Sequence, residues 1–308
     1  MSSPNPFPIS NRREASERMT HKRDISLKKT RSVGNNTRVS TGLDLLDDIT
    51  YGGFLPGKSY LVSGMPGTGK SILALQFLMA SLAENRNSTY ICVNEKPDDL
   101  VATANSLGWS IEPAISEGKL QFLDMSPFFS RFAVKGTNKS EARQNEVNIR
   151  KVMVELVKYV RENSTECLVI DSINSLLPGH EEPTASAAAR ELVLSLEEHL
   201  GCTCLLTFDL WEVNGQNHVH PIESYTAGVI RLGITRTADR YDRMLMLKKM
   251  RATPVDPAVH KFMIRHIEGI SAARPNRTAS DIADDNGSQG ESQTRTSIPP
   301  QKDMFVRS

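Results

Sequence analysis

Residues 59–78 read SYLVSGMPGTGKSILALQFL, and no other stretch limits so strongly what this chain can fold into. An apolar run suited to a buried strand stops at Gly64. G-x-x-x-x-G-K-S follows, and then an apolar pattern of helical period begins. That order is what a phosphate-binding loop requires. Glycines 64, 67 and 69 let the backbone curl so that its N–H groups face inward as an anion-binding nest. A helix opening near Lys70 adds the positive end of its dipole. Gly64, Pro66, Gly67, Thr68, Gly69, Lys70, Ser71 and Ile72 are therefore the expected phosphate cradle. Lys70 is expected to reach the β- and γ-phosphates of a nucleoside triphosphate, and the Ser71 hydroxyl to take a magnesium ion.

A chain of 308 residues has room for one large α/β domain or two small ones. Its net charge of +1 excludes a globally basic nucleic-acid binder, though not a local patch. No apolar run is long enough to cross a bilayer, and the basic N-terminal residues lack the apolar segment of a secretory signal. The four cysteines, Cys92, Cys167, Cys202 and Cys204, sit in apolar strand-like runs rather than at metal-ligand spacings. They read as reduced core residues of a cytoplasmic protein.

Residues 1–37 are polar and basic without periodicity and are expected to form a disordered arm. Order is expected from Arg38, with a short helix within residues 39–48, started from a Ser/Thr/Gly turn, and a Gly/Pro loop at 51–57. Strands are expected at 88–93, 119–124, 167–172 and 203–209, and helices at 71–84, 97–107, 145–160 and 185–200. Further strands at 228–234, 244–248 and 261–267 follow with no helix between them, which suggests antiparallel hairpins appended to a parallel core. The tail from residue 273 is polar and aperiodic and is expected to be disordered. Between 125 and 143, Phe128, Phe129 and Phe132 interleave with Arg131, Lys135, Lys139 and Arg143. That pattern can stack bases and neutralise phosphates, but Phe residues packed beneath their own loop are the commoner arrangement. His218 and His220 are too few to claim a metal and read as a solvated loop.

The run CLVID at 167–171 is a fully apolar strand ending in a carboxylate. In a parallel sheet it is expected beside the phosphate-loop strand, which would put Asp171 at the ligand crevice, facing a magnesium-bound water.

Taken together, several motifs resemble the RecA-type ATPases, and within them the KaiC-like group. They are Thr41 to Asp44 (TGLD), Gly52 to Gly57 (GGFLPG), Gly64 to Ser71, Asn94 to Leu100 (NEKPDDL) and Gly108-Trp109. Leu168 to Ser172, Glu223 through Ile230, and Lys249-Met250-Arg251 complete the set. The resemblance covers about residues 38–272 as one domain. It implies a RecA-like P-loop α/β fold, a mainly parallel central sheet flanked by helices with antiparallel strands on the C-terminal side. It also implies ATP and Mg²⁺ as ligands, and a ring-shaped homo-oligomer, most readily a hexamer, with ATP at subunit interfaces. Lys249 and Arg251 would then reach a neighbouring subunit's γ-phosphate, and Asp209 would help hold the attacking water. Two cations at i and i+2 on a strand share a face, and a guanidinium beside the γ-phosphate stabilises transition-state charge.

The chain departs from the family where two adjacent glutamates normally follow the second core strand. Here the pair is Asn94-Glu95. An Asn amide holds water but cannot take its proton, and in a regular strand Glu95 would point to the opposite face. Ala227, where relatives often carry Asp, is a smaller departure. The expected function is a slow regulatory ATPase, a nucleotide-dependent oligomeric switch with an unidentified protein partner. A recombinase-like or helicase-like protein that binds single-stranded DNA is the alternative. An autokinase ranks lower, because no residues map onto its phosphorylated Ser/Thr pair, and a small-molecule P-loop kinase lower still. Loss of a general base costs about 10²–10⁴ in rate, so Asn94→Glu is expected to raise turnover. A folded, nucleotide-bound variant no faster than its parent would overturn the role given to Asn94.

Overall fold

The computed structural model describes residues 38–125, 153–177, 184–210, 212–213, 216–217, 220–237 and 240–273. The elements in chain order begin with α1 (Asp44–Ile49), β1 (Ser59–Gly64), α2 (Lys70–Ala83), β2 (Ser88–Cys92), α3 (Pro97–Ser106), α4 (Glu112–Ser116) and β3 (Leu120–Asp124). Next come α5 (153–162), β4 (Cys167–Asp171), a short 3-10 turn (Ile173–Leu176), α6 (Thr184–His199) and β5 (Thr203–Asp209). The two-residue strands β6 (Glu212–Val213) and β7 (Gln216–Asn217) precede α7 (Ile222–Tyr225). Four strands close the series: β8 (Gly228–Thr237), β9 (Arg240–Met250), β10 (Val259–Arg265) and β11 (Gly269–Ala272).

All six residues of β1 are buried, as a parallel strand covered on both faces must be. It lies inside a nine-stranded sheet of order β11-β10-β9-β8-β1-β5-β4-β2-β3. The strands from β8 to β3 run parallel, and β8 through β11 pair antiparallel. The mixed sheet expected from the sequence is thus present. Two apolar clusters cover it. Tyr60, Val62, Tyr90, Cys92, Cys167, Val169 and Leu205 face one cluster, with α1, α2 and α3. Leu61, Ile91, Leu168, Ile170, Leu206 and Phe208 face the other, with α5 and α6. This is the period-2 alternation of a pleated strand.

The strand order corrects one expectation. β4 is not next to β1; β5 stands between them, pairing with both. Local sequence pattern carries no information on which strand fills that position. Smaller differences follow. The C-terminal hairpin is longer than its apolar residues suggest, because β8 and β9 continue as an exposed ribbon to Thr237 and Arg240. α4 and β11 were not expected from the sequence: both are short, below the length at which periodicity shows. The basic arm, the tail from 274, the Phe/Lys/Arg loop beyond Met125, residues 145–152 of the expected helix, and His218 all lie outside the described residues. His220 is not solvated. It is buried, its ring 4.8 Å from that of Phe208, and its Nδ1 accepts a bond from the Ile222 N–H. All four cysteines are buried and free. No helix among the described residues is long and apolar enough to cross a membrane.

Gln76, buried on α2, ties the phosphate-loop helix to two distant segments. Its Nε2 donates to the carbonyls of Gly42 at 2.6 Å and Ile270 at 3.0 Å, and its Oε1 accepts from the Ile270 N–H at 2.8 Å. Beside it, Gly269 (φ +66°) has no space for a side chain, since a Cβ would lie 2.4 Å from the Trp109 ring. The Trp109 indole donates to Ile267 O at 2.7 Å. Gln76→Met keeps the length and removes every polar atom, stranding buried backbone groups. Unfolding in urea is expected to show a loss of about 2–4 kcal/mol, and a change within experimental error would mean that these bonds do not hold β11 in place.

Candidate functional site

The loop after β1 turns sharply into α2. Gly69 precedes the helix at φ +108°, a conformation open to glycine and strained for other residues. A Cβ on Gly64 would lie 2.6 Å from Leu232 O and 2.7 Å from Thr68 Oγ1, so the loop is closed too tightly there for any side chain. Thr68, buried, donates its hydroxyl to Met65 O at 2.8 Å. Met65, Pro66 and Gly67 are exposed, and a Cβ on Gly67 would meet nothing within 4 Å. The cradle is therefore tightly built at its base and open above.

Lys70 is 7% exposed. Its ammonium donates to Gly64 O and Met65 O, each at 3.0 Å, and pairs with Asp209 Oδ1 at 2.7 Å. Gly64 and Asp209 are register partners at the ends of β1 and β5, which is why the carboxylate falls beside the loop. Asp209 is also fixed through its backbone: its N–H donates to Asn174 Oδ1, and its carbonyl accepts from Asn174 Nδ2. Asp171 ends β4, one strand further out. Tyr90 Oη donates to its Oδ2 at 2.5 Å, and Thr207 Oγ1 donates to its Oδ1. Asp171 lies on the α2 side of the sheet by the same parity as Cys167 and Val169.

The Asn94-Glu95 pair lies just beyond β2. That strand ends at Cys92 and residues 93–95 bend, so strict alternation does not extend to Glu95. Asn94 Nδ2 donates to Ser172 Oγ at 3.0 Å. Partial desolvation of the carboxyl, in a residue that is otherwise exposed, then the charges of Asp171, Asp99 and Asp209, hold Glu95 above its ordinary range. Glu95 thus shares an electrostatic environment with both carboxylates nearest the phosphate loop. Lys70, Asp171, Asp209 and Glu95 are brought to one end of the parallel sheet.

Lys249 and Arg251 are elsewhere. Both donate to Ser224 O, at 3.2 and 2.8 Å, and the Arg251 N–H bonds Ala227 O, whose own N–H bonds Ser59 O. They stand at the start of β1, whereas the phosphate loop follows its end. From Tyr60 to Gly64 is roughly 13 Å of strand. Desolvation first, and Arg251 next, lower the Lys249 ammonium's pKa. The neighbouring Glu223 is buried and pairs with Arg231 at 3.1 Å and with Lys248.

The oxygen donors fit a magnesium nucleotide. Magnesium takes a hydroxyl and a carboxylate and keeps several waters, and Ser71 with the partly buried Asp171 would offer that set. No cluster of His, Cys, Asp and Glu that could hold a metal ion by itself occurs among the described residues. Sequence reasoning missed Tyr90 and Thr207. Their signal was parity: Tyr90 shares a face with Cys92, the register partner of Asp171. It also gave Asp209 to the water and did not anticipate its pairing with Lys70.

A family model described as "ATPase: KaiC" matches residues 39–277. A UPF0273 protein of Thermotoga maritima is 29% identical over 231 residues, 74% of this chain and 92% of that one. The circadian clock oscillator protein KaiC 1 of Synechocystis is also 29% identical, over 76% of this chain but only 44% of its own. The chain therefore spans less than half the length of that clock protein. Among solved structures, a KaiC-like protein from Pyrococcus horikoshii superimposes with a TM-score of 0.62 at 27% identity, covering 77% of this chain and 99% of its own. With the RecA-type sheet, the phosphate loop and these matches together, the chain belongs to the KaiC family of ATPases.

Proposed function

We propose that this protein is a slow ATPase of the RecA/KaiC type whose nucleotide state switches a ring-shaped homo-oligomer, most readily a hexamer, between states that a regulatory protein partner distinguishes. The observation that carries the ATPase reading is the group at one end of the parallel sheet: a buried Lys70 beneath an open glycine loop and paired with Asp209, with Asp171 one strand further out and Glu95 within electrostatic reach of both carboxylates. Lys70 and the loop N–H groups bind the phosphates. Ser71 and Asp171 would hold Mg²⁺, which would neutralise charge on the phosphates. With Asn94 in place of a carboxylate, Glu95 is the residue left to take the proton of the attacking water. A carboxyl whose affinity for protons is raised is better suited to that task than an ordinary one.

The oligomer reading rests on Lys249 and Arg251. They stand too far from their own subunit's loop to touch its γ-phosphate, so a catalytic part for them requires a neighbour. A single carbonyl, Ser224 O, holds both.

Two measurements test this. Native mass with and without ATP and Mg²⁺ is expected to show ATP-dependent assembly, and slow turnover is expected to accompany it. Arg251→Ala and Lys70→Ala are each expected to be inactive alone and to recover part of the activity when mixed, because mixed rings recreate intact interfaces. A rapidly hydrolysing monomer would overturn the reading.

Glu95→Gln is expected to lower hydrolysis by about 10²–10⁴. It should also remove an acid limb from the rate profile, since a base with a raised pKa stops working as pH falls through that value. Stability supplies an independent sign. A carboxyl whose folded pKa is raised destabilises the folded state once ionised. Glu95→Gln should therefore raise the nucleotide-free melting temperature at neutral pH, with the gain vanishing in acid below the unfolded pKa. An unchanged rate profile would remove Glu95 as the base.

A further inference from the structure

Both oxygens of Asp171 are held by hydroxyls from the two neighbouring strands. β4 lies between β5 and β2, and each neighbour contributes one donor: Thr207 to Oδ1 and Tyr90 to Oδ2. The three residues share the α2 side of the sheet. Tyr90 and Thr207 are each 0% exposed, so neither hydroxyl has water as a substitute partner. Asp171 itself is only partly buried, leaving its outer side accessible from the cleft.

We propose that Tyr90 and Thr207 are positioning residues that set the site's affinity for Mg²⁺ by clamping both oxygens of Asp171. This rests on the reading of Asp171 as the carboxylate that meets a magnesium-bound water. A carboxylate offers about four lone-pair positions. Two are used inward, which leaves two for metal-bound water. The terminal torsion of Asp is broad and roughly two-fold when free; two donors on opposite strands stop that rotation. The opposing effect is that hydrogen bonds withdraw charge from the carboxylate. Without the two hydroxyls the Asp171 torsion is freed and its oxygens turn toward the cleft, where water donates similar bonds, so little basicity is lost and the gain in orientation prevails. Outer partners of this kind are worth about 10–100-fold in metal affinity. A contact relayed through water lies at the lower end of that range.

The test uses the full chain and binding of a fluorescent ATP analogue, measured in EDTA and across a magnesium titration. Tyr90→Phe and Thr207→Val each remove one hydroxyl and preserve shape. Each is expected to raise the half-saturating magnesium concentration about threefold, and the double variant about tenfold. Affinity in EDTA should stay within about twofold of the parent, a separation that a merely structural role would not produce. Thr207→Ser, which keeps the hydroxyl, should restore the parental titration, and the Val/Ser pair at 207 decides the matter if a Tyr90 variant does not fold. Asp171→Asn separates the two levels of inference. If it leaves the magnesium dependence intact, the magnesium role of Asp171 fails. If it abolishes that dependence while Tyr90→Phe and Thr207→Val leave the titration unmoved, the clamp fails and the role of Asp171 stands.

Discussion

A buried ammonium costs several kcal/mol unless its donors are matched, and the arrangement around Lys70 meets that demand. Three donors meet three acceptors: two loop carbonyls and the Asp209 carboxylate. Those acceptors come from β1, its loop and β5, so the match depends on the register that aligns Gly64 with Asp209. A slip of one residue would send Asp209 to the far face of the sheet. The loop's closed base, the seating of α2 and the alignment of the two central strands are therefore one arrangement, and the cation satisfies all three at once. A bound triphosphate would add negative charge to a site whose positive group is already paired. Asp209 is the partner that such a ligand competes with.

Parity organises the remaining chemistry. Gly64, Thr207, Asp209, Asp171 and Tyr90 all fall on the α2 side of the sheet, while Leu61, Leu206 and Ile170 fill the other side with hydrocarbon. One face thus carries polar work at its upper edge, and the other carries only packing. The division holds through Val93, which packs in the same cluster as Ile91, and is lost as the chain bends away from β2. The Asn94-Glu95 pair sits in that bend, where a regular strand's geometry no longer decides which side chain faces the carboxylates.

Much of this was legible in the residues. The phosphate loop announced itself through a strand, a glycine pattern and a helix in fixed order, and the core strands through unbroken apolar runs. What was not legible was relational. That β5, rather than β4, accompanies β1 is a matter of long-range pairing, and the expected adjacency failed for that reason. The Lys70–Asp209 pair, the Tyr90 and Thr207 hydroxyls on Asp171, and the burial of His220 against Phe208 all join residues from different strands or loops. β11 escaped notice because Gly269–Ala272 is too short to show a period, and beyond its pairing with β10 it is tied to Gln76, 194 residues away.

That last contact has a mechanical meaning. Hydrogen bonds lose most of their strength within about an ångström of stretch, so α2 and the Ile270 backbone either move as one body or part company. The phosphate loop caps one end of α2, and the Gly42 turn and the last strand are fastened to its flank. A tilt of the helix on taking up phosphate would be transmitted, without gearing, to the edge of the sheet from which the chain continues past Ala273. The sheet's outermost strand is in series with the nucleotide site, although eight strand positions separate β11 from β3 and four separate it from β1.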